Sequence, residues 1–158
     1  MLVGRRQFSN LAAGCLLAAV PAAWVHAKDS ALPVPASLPQ TAAAAKARRQ
    51  PLVLLITLPG CVYCELVRRS YLMPLLPDTG LQAWQLDVTD RRAPLLGFDG
   101  KPTNAAAQAK AWRATFTPTV LFLGSRGEEL AERLVGIAVP DFFGAFLEER
   151  IESSRKLL

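Results

Sequence analysis

Leu52-Val53-Leu54-Leu55-Ile56-Thr57-Leu58-Pro59-Gly60-Cys61-Val62-Tyr63-Cys64 is the stretch that decides how this chain reads. Leu52 to Thr57 is a continuous apolar run of strand length, the pattern of a central strand covered on both faces. Pro59-Gly60 then makes a turn, and a helix begins near Cys61. Two cysteines three apart at a helix start share one helical face, about 5–6 Å from each other and within disulfide reach. Further on, Thr117-Pro118 stands immediately ahead of a second apolar run, Thr119-Val120-Leu121-Phe122-Leu123. Either feature alone is a weak signal. A strand ending in a dithiol, with a proline loop able to face it, is a strong one.

At a helix start, unpaired backbone N–H groups and the positive dipole end favour thiolate over thiol, which activates Cys61. Cys64, a turn inside, is expected to be more buried and harder to ionise. The asymmetry assigns roles: Cys61 attacks or is attacked, and Cys64 resolves the mixed disulfide. A purely structural disulfide is the bland alternative, but so short a loop constrains little of the unfolded chain. Half a metal site would need ligands from a second chain. Pro118 has a bland reading as well, simply opening a strand. Its functional reading is a cis Thr117-Pro118 turn that sets the Thr117 backbone beside Cys61, where it can pair with an extended substrate. Tyr63 is expected to cover the dithiol and tune access. Arg68 and Arg69 read as a solvated helix face, Glu65 points away from Cys64, and Trp84 and Trp112 read as packing residues.

The first 27 residues are set aside as an export signal. Arg5 and Arg6 form a positive region, Leu11 to Val20 is apolar, and Val25-His26-Ala27 is a small-x-small cleavage site. Arg5-Arg6-Gln7-Phe8 resembles the twin-arginine signal, while Gly4, Ser9 and Asn10 depart from its fuller pattern and leave ordinary secretion open. Cleavage after Ala27 places residues 28–158 in the periplasm and removes Cys15. It also removes the only histidine, His26. Cys/His zinc sites, Cys–His nucleophilic catalysis and mixed copper sites are thereby excluded. A c-type haem needs a histidine after the second cysteine, where this chain has Glu65. No metal or cofactor is implied. With Lys+Arg 18 and Asp+Glu 13 the net charge is +5, and the signal carries two of the arginines and no acid. The remaining excess forms no dense basic stripe, so nucleic acid is not expected as a partner.

Residues 28–40, with three prolines, read as an extended, exposed tether. Thr41 caps a short alanine-rich helix to about Arg49, which completes a 28–50 leader to a domain over 51–158. After the strand at Leu52 and the helix at Cys61, the apolar positions Val62, Leu66, Val67 and Leu72 fit a helical stripe loosely, and Pro74 and Pro77 kink or end it. Gln82 to Val88 is a second strand, 90–103 a polar loop, and Asn104 to about Ala114 a helix capped by Thr103 or Asn104. Thr119–Leu123 and Glu129–Val135 form a hairpin, and a last helix begins at Asp141. The first crossover gives a parallel pair and the hairpin adds on the other side. The fold class is α/β, a mixed four-stranded sheet with helices on both faces.

From about Pro51 to Glu152 the chain resembles the thioredoxin superfamily, through Leu52–Ile56, Cys61-Val62-Tyr63-Cys64, Thr117-Pro118-Thr119, Phe122 and Gly136. It is similar to exported bacterial thioredoxin-like proteins, including those that accompany sulfur-oxidation enzymes. The resemblance implies a thioredoxin fold, a nucleophilic first cysteine, a resolving second cysteine and a cis proline, carried over to Cys61, Cys64 and Pro118. The departures matter. Thioredoxins proper have Trp before the first cysteine and Gly-Pro between the two, where this chain has Gly60 and Val62-Tyr63. Leu55 stands where they keep a buried Asp. Thr117 is more like exported isomerases and their relatives. The expectation is a monomeric periplasmic thiol–disulfide oxidoreductase that reduces protein or small-molecule disulfides and is recharged by a membrane electron donor. Two alternatives stay open: a disulfide oxidant or isomerase, and a non-enzymatic carrier of a metal or sulfur group on the dithiol.

Overall fold

A computed structural model describes residues 31–158. The signal residues Arg5, Arg6, Cys15, His26 and Ala27 lie outside the described residues. The elements are α1 (Leu38–Ala47), β1 (Leu52–Thr57), α2 (Val62–Leu66), a π-helical turn (Val67–Leu72), α3 (Met73–Thr79), β2 (Ala83–Asp87), β3 (Leu95–Leu96), β4 (Pro102–Thr103), α4 (Ala105–Ala111), β5 (Thr119–Leu123), β6 (Leu134–Val135) and α5 (Pro140–Arg155). The main sheet has the order β2-β1-β5-β6. β1 is parallel to β2 and antiparallel to β5, and β6 closes the antiparallel edge. This is the mixed four-stranded sheet read from the sequence.

All six residues of β1 are buried, because the strand alternates between two cores. Leu52, Leu54 and Ile56 join Leu86, Leu121 and Leu123 under α1 and α4. Val53 and Leu55 join Val120, Phe122, Val67, Leu72 and the α5 residues Phe143, Leu147 and Ile151. The helical path after Cys61 therefore shares one face of the sheet with α5, and Trp84 and Trp112 pack against the other.

Four expectations need correction. The segment before α1 is not an exposed tether among the described residues. Leu32 is buried in the α5-side core, while Leu38 is buried in the opposite one. Between them the chain crosses the outer edge of β2: Gln85 N–H donates to Pro33 O and Leu96 N–H to Ala36 O, at 2.9 Å each. An open strand edge is thus covered. With that anchoring the helix starts at Leu38, capped by Ser37 instead of Thr41.

The second correction concerns the helix after the dithiol. Val62 and Leu66 are exposed, and the buried positions are Cys64, Val67, Arg68 and Leu72. The cause is helical spacing: at about 3.6 residues per turn Cys64, Val67, Arg68 and Leu72 share one side and Val62 and Leu66 the other. A π turn follows, whose Met73 N–H bonds back to Arg68 O. Pro74 can donate no N–H and its ring crowds the preceding carbonyls, so the helix widens just ahead of it.

Third, the last hairpin is shorter than expected. Pairing at Leu123–Glu129 is a single bridge, and β6 is confined to Leu134–Val135. Ala131-Glu132-Arg133 favours strand poorly, and Arg133 turns its side chain to Glu129 and to the Trp112 carbonyl. Fourth, the polar loop at 90–103 folds into the small β3–β4 hairpin. Asn104 does cap α4, accepting from Ala107 N–H at 2.9 Å.

Candidate active site

β1 ends at Thr57, and the chain turns through Leu58, Pro59 and Gly60 into α2. Gly60 has φ +73°, a left-handed conformation that glycine adopts without steric cost. The turn sets Cys61 at the N-cap, with its Sγ accepting the Cys64 N–H at 3.1 Å. Cys61 and Cys64 are joined in a disulfide with a Cα–Cα distance of 5.2 Å. Cys61 is half-buried, whereas Cys64 is 1% exposed. The burial asymmetry expected of an attacking and a resolving cysteine is present.

Pro118 sits at the start of β5, the central strand next to β1, and the Thr117–Pro118 peptide is cis. The antiparallel register pairs Ile56 with Thr119, so the proline loop arrives at the same end of the sheet as the dithiol. The Thr117 hydroxyl points at Cys61 Sγ from 4.0 Å. Gly136 N–H donates to Pro118 O at 2.7 Å, tying the loop after β6 to the same place. Between these segments lies an open groove of about 390 Å³, lined by Tyr63, Phe116, Thr117, Pro118, Gly136 and Ile137 among others. Its lining residues carry no charge. Tyr63 is 62% exposed and forms one wall of the groove.

The residues following the cysteines divide in an unexpected way. Arg69 is exposed, as the sequence suggested, but Arg68 is 7% exposed. Its Nε donates to Gln85 Oε1 at 2.8 Å, Nη2 to Thr57 Oγ1 at 3.2 Å, and Nη1 to Glu65. The hydrogen bond from Arg68 is the main cause that holds the Glu65 carboxyl below its ordinary range, opposed by partial desolvation and helped by Arg69. The sequence signal was present but faint: Arg68 is four residues after Cys64, on the face the cysteines share. Among the described residues, no three of His, Cys, Asp and Glu cluster as metal ligands.

Known proteins share this fold. A family profile described as a thioredoxin-like domain matches residues 38–151. Among solved structures, Fasciola hepatica thioredoxin is 18% identical, with a TM-score of 0.51 over 77% of this chain and 97% of that one. Mitochondrial thioredoxin 3 from Saccharomyces cerevisiae is 19% identical, with a TM-score of 0.50 over 77% of this chain and 93% of that one. The periplasmic thioredoxin SoxS from Paracoccus pantotrophus, in its reduced form, is 24% identical, with a TM-score of 0.43 over 65% of this chain and 97% of that one. No curated protein sequence matches the chain.

Proposed function

The chain belongs to the thioredoxin-like family of thiol–disulfide oxidoreductases, and from that premise we propose that it works in the periplasm as a reductant of disulfides. The observation that carries this reading is the Cys61–Cys64 pair, with one sulfur accessible, the other buried and Thr117 alongside. The export signal read from residues 1–27 supports the compartment.

In the reducing direction the Cys61 thiolate attacks one sulfur of the substrate disulfide. A Cys61–substrate bond forms, the substrate S–S bond breaks, and the departing thiolate takes a proton from water. Cys64, deprotonated in turn, attacks Cys61 Sγ; the mixed disulfide breaks and the second substrate thiolate leaves. The substrate gains two electrons and ends as two thiols, and the chain ends with the Cys61–Cys64 disulfide. A membrane-embedded donor then returns two electrons.

Pro118 and Thr117 shape the wall against which an extended substrate lies, and Tyr63 forms the opposite wall. The uncharged groove supports a disulfide presented on a polypeptide over a small, highly charged thiol. Thr117 favours the oxidant or isomerase as the second reading.

The test is to equilibrate the purified protein in defined thiol buffers and count alkylated cysteines by mass. A potential near the roughly −270 mV typical of thioredoxin supports a reductant, and one above about −180 mV an oxidant or isomerase. Cys61→Ser is expected to abolish exchange and Cys64→Ser to trap mixed disulfides. Full activity in Cys61→Ser overturns the assignment.

A further inference from the structure

Among the described residues Arg68 is the only charged side chain that is buried. Cys61, Cys64 and Arg68 stand at spacings of three and four on one helical face, which starts the arginine about 6 Å along the axis beyond Cys64. Its guanidinium is clamped between the end of β1, β2 and its own helix by Thr57, Gln85 and Glu65. Burying a cation there is costly, and an apolar side chain of similar volume is often at least as stabilising. Packing alone gives no reason for a charge in this position.

We propose that Arg68 is a positioning residue that stabilises the reduced dithiol in its thiolate form and so raises the redox potential of the pair; this rests on the thiol–disulfide reading above. A thiolate exists only in the reduced state, so a cation that favours it makes the disulfide the stronger oxidant.

The groups that oppose Arg68 are weaker. Glu65 is half-exposed and divides its charge between Arg68 and Arg69, so water screens it more than it screens the guanidinium. On β2, Asp87 lies on the same face as Gln85, but its Oδ1 accepts the N–H and hydroxyl of Thr89, at 2.7 Å each. β5 contributes the uncharged Thr119 and Val120, and α5 carries the exposed Asp141 in its first turn, with Glu148, Glu149, Arg150, Glu152 and Arg155 in its second half. Leu55, fully buried on the same face of β1, adds no charge.

The experiment equilibrates wild type, Arg68→Met and Arg68→Lys with oxidised and reduced dithiothreitol between pH 5 and 9. At the alkaline end Arg68→Met is expected to oxidise dithiothreitol with an equilibrium constant about tenfold smaller, which is about 30 mV. Arg68→Lys keeps most of the wild-type value. As pH falls below the ionisation of the wild-type thiols the curves converge, because protonated thiols leave nothing for the cation to stabilise. A folded Arg68→Met with wild-type potential at every pH overturns the proposal, and so does one displaced equally at every pH, the mark of a structural role. If Arg68→Met does not fold, Arg68→Lys decides alone: wild-type potential supports the proposal, and a tenfold displacement at every pH overturns it. Absence of exchange in wild type overturns the oxidoreductase reading instead.

Discussion

Reducing the Cys61–Cys64 disulfide and offering the protein a small alkylating reagent at mildly acidic pH tests the division of labour within the dithiol. The Cys61 sulfur accepts the Cys64 N–H at 3.1 Å. A hydrogen bond to a charged acceptor contributes about 1.5–3 kcal/mol. Since 1.36 kcal/mol corresponds to a factor of ten in ionisation, the Cys61 thiolate population rises by roughly one to two orders of magnitude. Part of that gain is lost, because nucleophilicity falls with basicity at a Brønsted slope of about 0.4–0.5, which leaves a rate gain of roughly three- to tenfold. Access then multiplies the difference: Cys64 is 1% exposed and is reached only through local opening, while Cys61 is half-buried. Iodoacetamide at pH 6, quenched at intervals and mapped by peptide mass, is expected to modify Cys61 at least tenfold faster than Cys64. Equal rates, or Cys64 modified first, would refute the reasoning.

Leu32→Ala is expected to lower unfolding stability by about 2–3 kcal/mol in a urea titration, because Leu32 is 3% exposed within the α5-side core. A change under about 0.5 kcal/mol would mean that the segment before α1 is a free tether after all. Glu65→Gln gives a pH-dependent difference. The wild-type carboxyl is held below its ordinary range by Arg68, so its stabilisation is present above the unfolded value of 4.5 and is lost as pH falls through the folded one. Wild type is therefore expected to exceed the variant by about 1 kcal/mol at neutral pH, the half-exposed pair being partly screened, and the two should converge in acid; a pH-independent gap contradicts this. Tyr63→Ala and Phe116→Ala remove groove walls that are 62% and 65% exposed, with little effect on stability expected. Each should slow reduction of a disulfide carried on an unfolded protein severalfold and leave reduction of a small aliphatic disulfide nearly unchanged, as followed by thiol release. Equal slowing of both would remove the groove from substrate recognition.

The sheet was legible because its strands are short, continuous and apolar. Leu52–Thr57 and Thr119–Leu123 are buried throughout, so neither needed a correct phase to be recognised. The dithiol was legible because sequence neighbours at a helix start remain neighbours in the fold, and Asn104 announced its helix by its capping chemistry. Elements that depend on distant partners were not legible. The path of Leu32 to Ser37 is decided by the free edge of β2, some fifty residues later in the chain, and proline content alone suggested a solvated linker. The hairpin at 124–135 kept its turn but lost most of its second strand, because Arg133 finds partners in Glu129 and Trp112 that no local pattern reveals.

Arg68 shows most directly why the candidate site was only partly readable. A helical wheel drawn at about 3.6 residues per turn puts Cys64, Val67, Arg68 and Leu72 on one side and Val62, Leu66 and Arg69 on the other, whereas a stripe read from the apolar residues alone leaves both arginines to water. The π turn over Val67–Leu72 follows on that inner face, and Pro74, just beyond it, is the visible reason for the turn. Arg68 therefore falls inward and Arg69 stays out, and the inward residue meets Thr57 and Gln85 on two strands. The same phase exposes Val62 and Leu66 beside the dithiol, where an apolar polypeptide can rest. One helix phase, set at Cys61, thus supports both a buried cation on the inner side and an apolar surface on the outer one. A chain in which Pro74→Ala restores an uninterrupted α-helix is expected to keep both, because Val62, Leu66 and Arg68 take their sides from the helix start at Cys61. Arg68 stays protected from a guanidinium-modifying reagent, and the potential of the dithiol stays near that of wild type. If instead Arg68 becomes accessible when the π turn disappears, as read from backbone amide chemical shifts, the burial of the arginine depends on the widened helix.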